Sequence, residues 1–104
     1  MALNTGSDRR LKSNITNITN SGEFIDSLTP RAFTWTAQNV NDYGFIADEF
    51  QNVRPNDVIG EANAVDSDGK PVYQQANFNS PAMIAMLVAE IQSLRARLKA
   101  ANIA

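Results

Sequence analysis

The feature that most constrains this chain is a long run of apolar residues at helical spacing near its carboxyl end. Ser80 and Pro81 suit the N-cap and first position of a helix, which we predict to extend from Pro81 to about Ala101. Five apolar residues recur at intervals of three and four along it: Ile84, Leu87, Ile91, Leu94 and Leu98. Because a chain of 104 residues forms only one small domain, the surface that covers this stripe decides its architecture.

The stripe is compatible with two arrangements. In heptad notation, Ile84 and Ile91 take a positions and Leu87 takes a d position, as in a coiled coil. The alternative is an amphipathic helix that covers its own domain, because the run is shorter than a secure coiled-coil assignment requires. Ile at a with Leu at d would by itself favour two strands. The pattern therefore favours self-association without fixing the number of copies.

The rest of the sequence is a succession of short helical and extended segments separated by turn-forming residues. The predicted elements are a short helix that follows Asn20 and stops before Pro30, a strand at 31–36, a turn at 39–42, a second strand at 43–47, a helical turn at 48–53, and a hairpin of segments 57–65 and 70–74. The acidic sequence at 66–69 is interpreted as the turn of that hairpin rather than as a calcium loop. Helices at both ends with antiparallel hairpins between them predict an α+β fold.

The sequence contains no cysteine and no histidine, which excludes several kinds of chemistry. With no Cys there is no disulfide, thiol nucleophile or Cys-bound zinc, and with no His a Ser-His-Asp triad cannot form. The formal net charge of −2 argues against a broadly basic nucleic-acid surface, and no apolar run is long enough to suggest a membrane span. We therefore expect no metal or other cofactor, no nucleic-acid partner and no membrane partner.

Reactive chemistry is conceivable at one place, the segment from Gly6 to Lys12. A hydroxyl nucleophile without histidine needs a lysine, a carboxylate or water as its base, and Ser7 and Lys12 offer such a pair. On a helix these two residues would lie about 140° apart and could not share a face. Either Ser7 lies outside regular structure with Lys12 curling back, or the two meet between neighbouring chains. By spacing alone, the more ordinary interpretation is a Ser-Asp turn followed by a solvated basic run.

Three blocks of sequence, taken in order, resemble the S74 peptidase family. They are Ser-Asp-Arg-Arg-Leu-Lys-Ser-Asn-Ile at 7–15, Phe-Thr-Trp at 33–35 and Tyr-Gly-Phe-Ile-Ala-Asp-Glu at 43–49, followed by an apolar C-terminal helix. Members of this family are the C-terminal intramolecular chaperone domains of bacteriophage tailspikes and tail fibres, such as endosialidases. The chain departs from the family pattern at Asp48, where Gln is usual, and at Phe78, where Tyr is common.

The resemblance implies a homotrimeric domain that guides the folding of an upstream fibre or tailspike segment of the same polypeptide and then cuts itself free. Residues 1–6 would be a remnant of the upstream segment, and residues 7–104 would be the chaperone and auto-cleavage domain. The Gly6–Ser7 bond would be the cleavage site.

The resemblance also implies roles for individual residues. Ser7 would be the nucleophile and Lys12 the general base of a Ser-Lys dyad. Asp8, Arg9 and Glu49 would have supporting roles. The stripe Ile84, Leu87, Ile91, Leu94 and Leu98 would form the interface of a trimeric helical bundle.

The implied setting is the host cell cytoplasm during virion assembly, with the mature fibre in the phage tail and the released domain absent from the virion. Two other functions fit parts of the sequence. A non-catalytic trimerisation or adhesin tip would use the long helix and stay attached to its fibre. A nucleic-acid-associated domain would instead use the basic residues Arg9, Arg10 and Lys12 together with the basic end of the long helix, which contains Arg95, Arg97 and Lys99.

Overall fold

The computed structural model describes residues 6–103, and these adopt the predicted α+β fold. In chain order the elements are a 3-10 turn at Arg9–Leu11, helix α1 (Ser21–Asp26), strands β1 (Arg31–Trp35) and β2 (Val40–Gly44), helix α2 (Ala47–Gln51), a 3-10 turn at Pro55–Asp57, strands β3 (Val58–Ile59) and β4 (Gln75–Ala76), and helix α3 (Pro81–Ala100). The predicted upstream remnant, residues 1–6, lies outside the described residues except for Gly6. Between residues 6 and 103, no helix is both long and apolar enough to cross a lipid bilayer.

The long C-terminal helix begins where its capping residues predict. The Ser80 hydroxyl accepts a hydrogen bond from the backbone N–H of Met83 at 3.4 Å, and Pro81 occupies the first helical position. The helix ends at Ala100, within one residue of the predicted end. Asn102 follows with a φ of 64°, a left-handed conformation that commonly terminates helices.

The first hairpin is confirmed, but its second strand, predicted at 43–47, begins and ends three residues earlier, at Val40–Gly44. Strand β2 starts at Val40 and pairs with β1 in antiparallel register, with Trp35 opposite Val40 and Arg31 opposite Gly44. The predicted turn at 39–42 is therefore wrong. The turn is formed instead by residues 36–39, and it closes when Asn39, at a φ of 54°, donates its N–H to the carbonyl of Trp35 at 2.7 Å.

Cross-strand hydrogen bonds explain why two turn-like residues lie in β2. The Thr34 hydroxyl bonds to the Asn41 side-chain oxygen at 2.8 Å, and the Trp35 indole N–H donates to the Asp42 carboxylate at 3.1 Å. Both faces of this hairpin are largely exposed. Its polar side chains therefore stay hydrated and can pair across the strands. The alternation of apolar and polar residues that predicts a half-buried strand is not required of a hairpin that is exposed on both faces.

The second predicted hairpin also forms, with sparse pairing, and its second strand at Gln75–Ala76 lies just beyond the predicted segment 70–74. Val58 lies opposite Ala76 and Ile59 opposite Gln75, and a single bridge joins Val65 to Pro71. At its turn the Asp66 carboxylate accepts from the backbone N–H groups of residues 68 and 70. The prediction of a turn at 66–69 is thereby confirmed.

A small apolar core joins the helices to the second hairpin. Its buried members come from α1, α2, β3 and α3: Phe24, Phe50, Val58 and Met83. Phe50 also forms a three-ring cluster with the partly buried Phe45 and Phe78, with centroid distances of 5.0 to 5.5 Å between each pair of rings. These aromatic contacts fix α2 against the segment that leads into α3.

The chain as a single copy is extended rather than closely packed. Its radius of gyration is 18.0 Å, whereas a compact domain of this length has about 13 Å. Large apolar side chains remain exposed along α3 and on both hairpins. A core this small leaves the fold with little stability of its own.

A polar network fastens the start of α3 to the core. The Ser80 hydroxyl donates to Asp57 Oδ2 at 2.7 Å, and Arg54 Nε donates to the same oxygen at 2.9 Å. Ser80 is buried, and the Asp57 side chain is only 11% exposed. The hydrogen bonds from Arg54 first and Ser80 second lower the pKa of Asp57 below its usual value.

This network makes stability depend on pH in a defined direction. Because the pKa of Asp57 is lower in the folded state, its carboxylate stabilises the fold above about pH 4, and this contribution is lost as the pH falls through the folded-state pKa. Asp57→Asn should therefore lower the free energy of unfolding most at neutral pH, and the difference from wild type should shrink in acid. Urea unfolding at fixed protein concentration, from about pH 7 to about pH 3, measures this difference.

Asp68→Asn, in the exposed turn of the second hairpin, is the matched control and should have little effect at any pH. An Asp57→Asn deficit of equal size at neutral and acid pH would show that the carboxylate's charge is not what stabilises the network.

Candidate functional site

The amino-terminal loop, which we define as residues 6–12, turns back on itself. Asp8 is the N-cap of its 3-10 turn, and its Oδ1 accepts from the backbone N–H of Arg10 at 2.8 Å. Backbone bonds from Leu11 to Asp8 at 3.0 Å and from Lys12 to Arg9 at 3.1 Å close the turn. The chain direction therefore reverses within a few residues.

This reversal brings the two predicted dyad residues together within one chain. Lys12 Nζ donates to Ser7 Oγ at 3.0 Å. Ser7 precedes the 3-10 turn and lies outside regular structure, so the helical geometry that would separate the pair does not apply. Of the two arrangements that the sequence leaves open, this structure contains the one in which Lys12 curls back. Both residues are exposed to solvent in the single chain.

Asp8 shapes the loop rather than contacting the reactive atoms. Besides capping the turn, its two carboxylate oxygens accept from Arg10 Nε at 3.0 Å and Arg10 Nη2 at 3.1 Å. These hydrogen bonds lower the pKa of Asp8 and raise that of Arg10. Asp8 is consequently a carboxylate at neutral pH, and it holds the turn from which Lys12 returns to Ser7.

The structure does not give Arg9 or Glu49 a contact with the dyad. Arg9 begins the 3-10 turn, and its exposed side chain forms no hydrogen bond with any other described residue. Glu49, on α2, receives two hydrogen bonds from Arg31 at the start of β1, one of them at 3.0 Å. The hydrogen bond from Arg31 is the main cause of a lowered pKa at Glu49. Glu49 thus connects the base of the first hairpin to α2.

The predicted interface residues on α3 lie open on the single chain. Ile84, Leu87, Ile91, Leu94 and Leu98 are 40% to 56% exposed. The adjoining side of the helix meets α1, where Ser21 donates to Glu90 Oε1 at 3.1 Å. Arg97, on α3 itself, lies 3.7 Å from Glu90 Oε2. The apolar stripe is therefore largely open on the single chain, as is the whole surface of α3 from residue 91 to residue 100.

The charged partners of Asp8 and Glu49 are not identified from the sequence. Arg10 is the partner of Asp8, and an Asp that caps a turn is a signal that could have located this pair. Arg31 is the partner of Glu49 from 18 residues earlier in the chain. Nothing in the local sequence around Glu49 indicates that contact.

A serine hydroxyl in hydrogen-bond contact with a lysine amine is the arrangement that a serine–lysine peptidase requires. Residues 7–59, just over half of the 104-residue chain, match the Peptidase S74 family, described as the chaperone of endosialidase, and the chain belongs to this family. Membership suggests an intramolecular chaperone role and a peptidase activity. The matched residues include the loop with Ser7 and Lys12 and end before α3. No curated protein matches the chain.

The structural role of Glu49 leads to a prediction about its coupling to Arg31. Glu49→Gln and Arg31→Gln should each lower the melting temperature, and the double variant should lose less than the sum of the two, because each single change already breaks the same ion pair. Thermal unfolding of the four proteins measures this coupling.

Glu61→Gln combined with Arg31→Gln is the control cycle and should be additive. Additive losses for Glu49 and Arg31 as well would mean that their ion pair does not hold the hairpin to α2.

Proposed function

We propose that this chain is a self-cleaving intramolecular chaperone of a phage tail fibre or tailspike. Three copies assemble, guide the folding of the upstream segment of the same polypeptide, and then cut the Gly6–Ser7 bond. The observation that carries the proposal is the 3.0 Å contact between Lys12 Nζ and Ser7 Oγ. Family membership supports the chaperone role. The proposal goes beyond it in two respects, cleavage and trimerisation.

The first chemical step joins Ser7 to the carbonyl that precedes it. An uncharged Lys12 accepts the hydroxyl proton across the observed contact, and Ser7 Oγ attacks the carbonyl carbon of Gly6. Since nucleophile and carbonyl belong to adjacent residues, attack is intramolecular and needs no encounter. The tetrahedral intermediate collapses when the C–N bond breaks and the Lys12 ammonium returns the proton to the departing nitrogen. The result is an ester between Gly6 and the Ser7 oxygen.

The second step separates the two parts of the chain. Water attacks the ester, which releases the Gly6 carboxylate and restores the Ser7 hydroxyl. The downstream product then begins with the free amino group of Ser7. The sequence has no histidine and no cysteine, and neither step needs one. No cofactor takes part.

The solvent exposure of the dyad favours an order of events in which assembly comes first. Lys12 must lose its proton before it can act, and burial in a less polar environment favours the uncharged amine. In the single chain both dyad side chains are exposed. Packing of the amino-terminal loop against neighbouring copies would exclude water and activate the pair. The domain would then stay attached to the fibre segment until the copies have assembled.

The open stripe of α3 supports self-association. A helix that is half uncovered along five apolar positions exposes a surface that water disfavours, and a second and third copy would bury it. The small core of the single chain supports the same conclusion. The number three comes from the family resemblance, since the heptad residues alone do not select it.

Such a module solves a physical problem of fibre folding. Intertwined β fibres depend on contacts between distant residues and between chains, so they fold slowly and are prone to aggregate. Gathering three carboxyl ends raises the effective concentration of the strands. Cutting afterwards removes the folding template and leaves the fibre kinetically trapped. We place this process in the host cell cytoplasm, with the cut fibre retained in the phage tail.

The dyad assignment predicts which substitutions stop cleavage. In a chain that carries its upstream fibre segment, Ser7→Ala should remain uncut, and Lys12→Ala should cleave at least about 100-fold more slowly, the usual contribution of a general base. Both variants should still be trimeric because neither residue is in the core or the stripe. Intact mass spectrometry over time measures cleavage, and light scattering measures the assembly.

Ser13→Ala and Lys70→Ala are matched controls and should be cut at the wild-type rate. Undiminished cleavage of Lys12→Ala would contradict the dyad. A wild-type trimer that stays whole would instead favour the non-catalytic trimerisation or adhesin tip.

The stripe assignment predicts which charge disrupts the assembly. Ile91→Asp should give a single-copy protein, because an unpaired carboxylate would be buried among apolar side chains. Ala96→Asp adds the same charge about 140° around the helix and should leave the trimer intact. Light scattering over a range of concentrations tests both. If both variants remain trimeric, the stripe is not the interface.

A further inference from the structure

Gly6 adopts a backbone conformation that most residues avoid. Its φ is 81°, in the left-handed region, where a side chain on an L residue crowds the backbone. Glycine enters this region freely, and asparagine is among the few other residues that tolerate it. Gly6 immediately precedes Ser7, so its carbonyl carbon is the atom that the Ser7 hydroxyl attacks in the proposed reaction.

The space around Gly6 does not itself require glycine. A Cβ built on Gly6 would have Leu11 Cδ1 as a near neighbour at 3.9 Å, which is an ordinary van der Waals distance. Leu11 belongs to the 3-10 turn and is itself largely exposed. The cost of a side chain at Gly6 is therefore conformational and not a clash.

The φ angle of Gly6 sets the direction in which the upstream chain leaves the attacked carbonyl. Downstream, the amino-terminal loop is held by Asp8 and by the contact between Ser7 and Lys12. Upstream, the direction of the chain would be held by a folded fibre. A residue at position 6 could relax to negative φ only by moving one of these two parts.

We propose that the positive φ of Gly6 determines which residue can precede the cleaved bond. Cleavage accepts glycine, tolerates asparagine and discriminates against alanine, in an order set by backbone conformation and not by side-chain size. The inference rests on the proposed cleavage between Gly6 and Ser7. It adds a specificity-determining residue to the proposed dyad of Ser7 and Lys12.

Two substitutions at one position separate conformation from size. In the chain with its upstream segment, Gly6→Ala should slow the appearance of the fragment that begins at Ser7 by about 5- to 30-fold, the factor expected for holding an L residue in the left-handed region. Gly6→Asn carries the larger side chain, yet it should be cut faster than Gly6→Ala. Intact mass spectrometry gives the rates, and light scattering confirms that each variant is trimeric.

The outcomes distinguish this inference from the proposed function. If the unaltered chain is cut and Gly6→Ala is cut equally fast, or if Gly6→Asn is slower than Gly6→Ala, the conformational requirement is wrong while the dyad stands. If the unaltered trimer is never cut, both proposals are overturned. Slow Gly6→Ala with partial recovery in Gly6→Asn supports the inference.

Discussion

The packing of α3 is the constraint on which the rest of this structure depends. One side of the helix completes the small core through Met83 and meets α1 through the contact between Glu90 and Ser21. The neighbouring side presents an apolar stripe whose residues are 40% to 56% exposed. A single chain therefore covers only part of the apolar surface of its longest helix. In the proposed assembly, copies that cover the stripe would contribute to stability, and folding would be linked to association by mass action.

At Glu90, contacts within the chain would compete with contacts between copies. In heptad notation it takes a g position, from which it could pair with Arg95 of a neighbouring parallel helix. Within the chain, however, its carboxylate already receives a hydrogen bond from Ser21 and lies near Arg97. A pairing between copies would have to compete with these contacts. The apolar side chains of the stripe, which are 40% to 56% exposed, are the better basis for association.

The sequence predicts the elements whose signals are local, and it misses contacts that depend on distant partners. Ser80 and Pro81 mark the start of α3 because capping is decided within a few residues. The contact between Ser7 and Lys12 does not follow from their spacing, since it requires a turn that Asp8 caps. Glu49 resembles a site residue in sequence, but Arg31, which lies far from it along the chain, gives it a structural contact.

The geometry of the amino-terminal loop is set within the loop, whereas the environment of its side chains would change on assembly. In the proposed reaction this difference makes cleavage follow assembly. The geometry of the loop is local, because Asp8 and the 3-10 turn bring Lys12 to Ser7 without any help from the core. Its environment in the single chain is water, because both Ser7 and Lys12 are exposed. In the proposed reaction each chain would cut only once, so a slow reaction would be sufficient. Slowness before assembly is also useful, because early cleavage would release the chaperone from a fibre that has not yet folded.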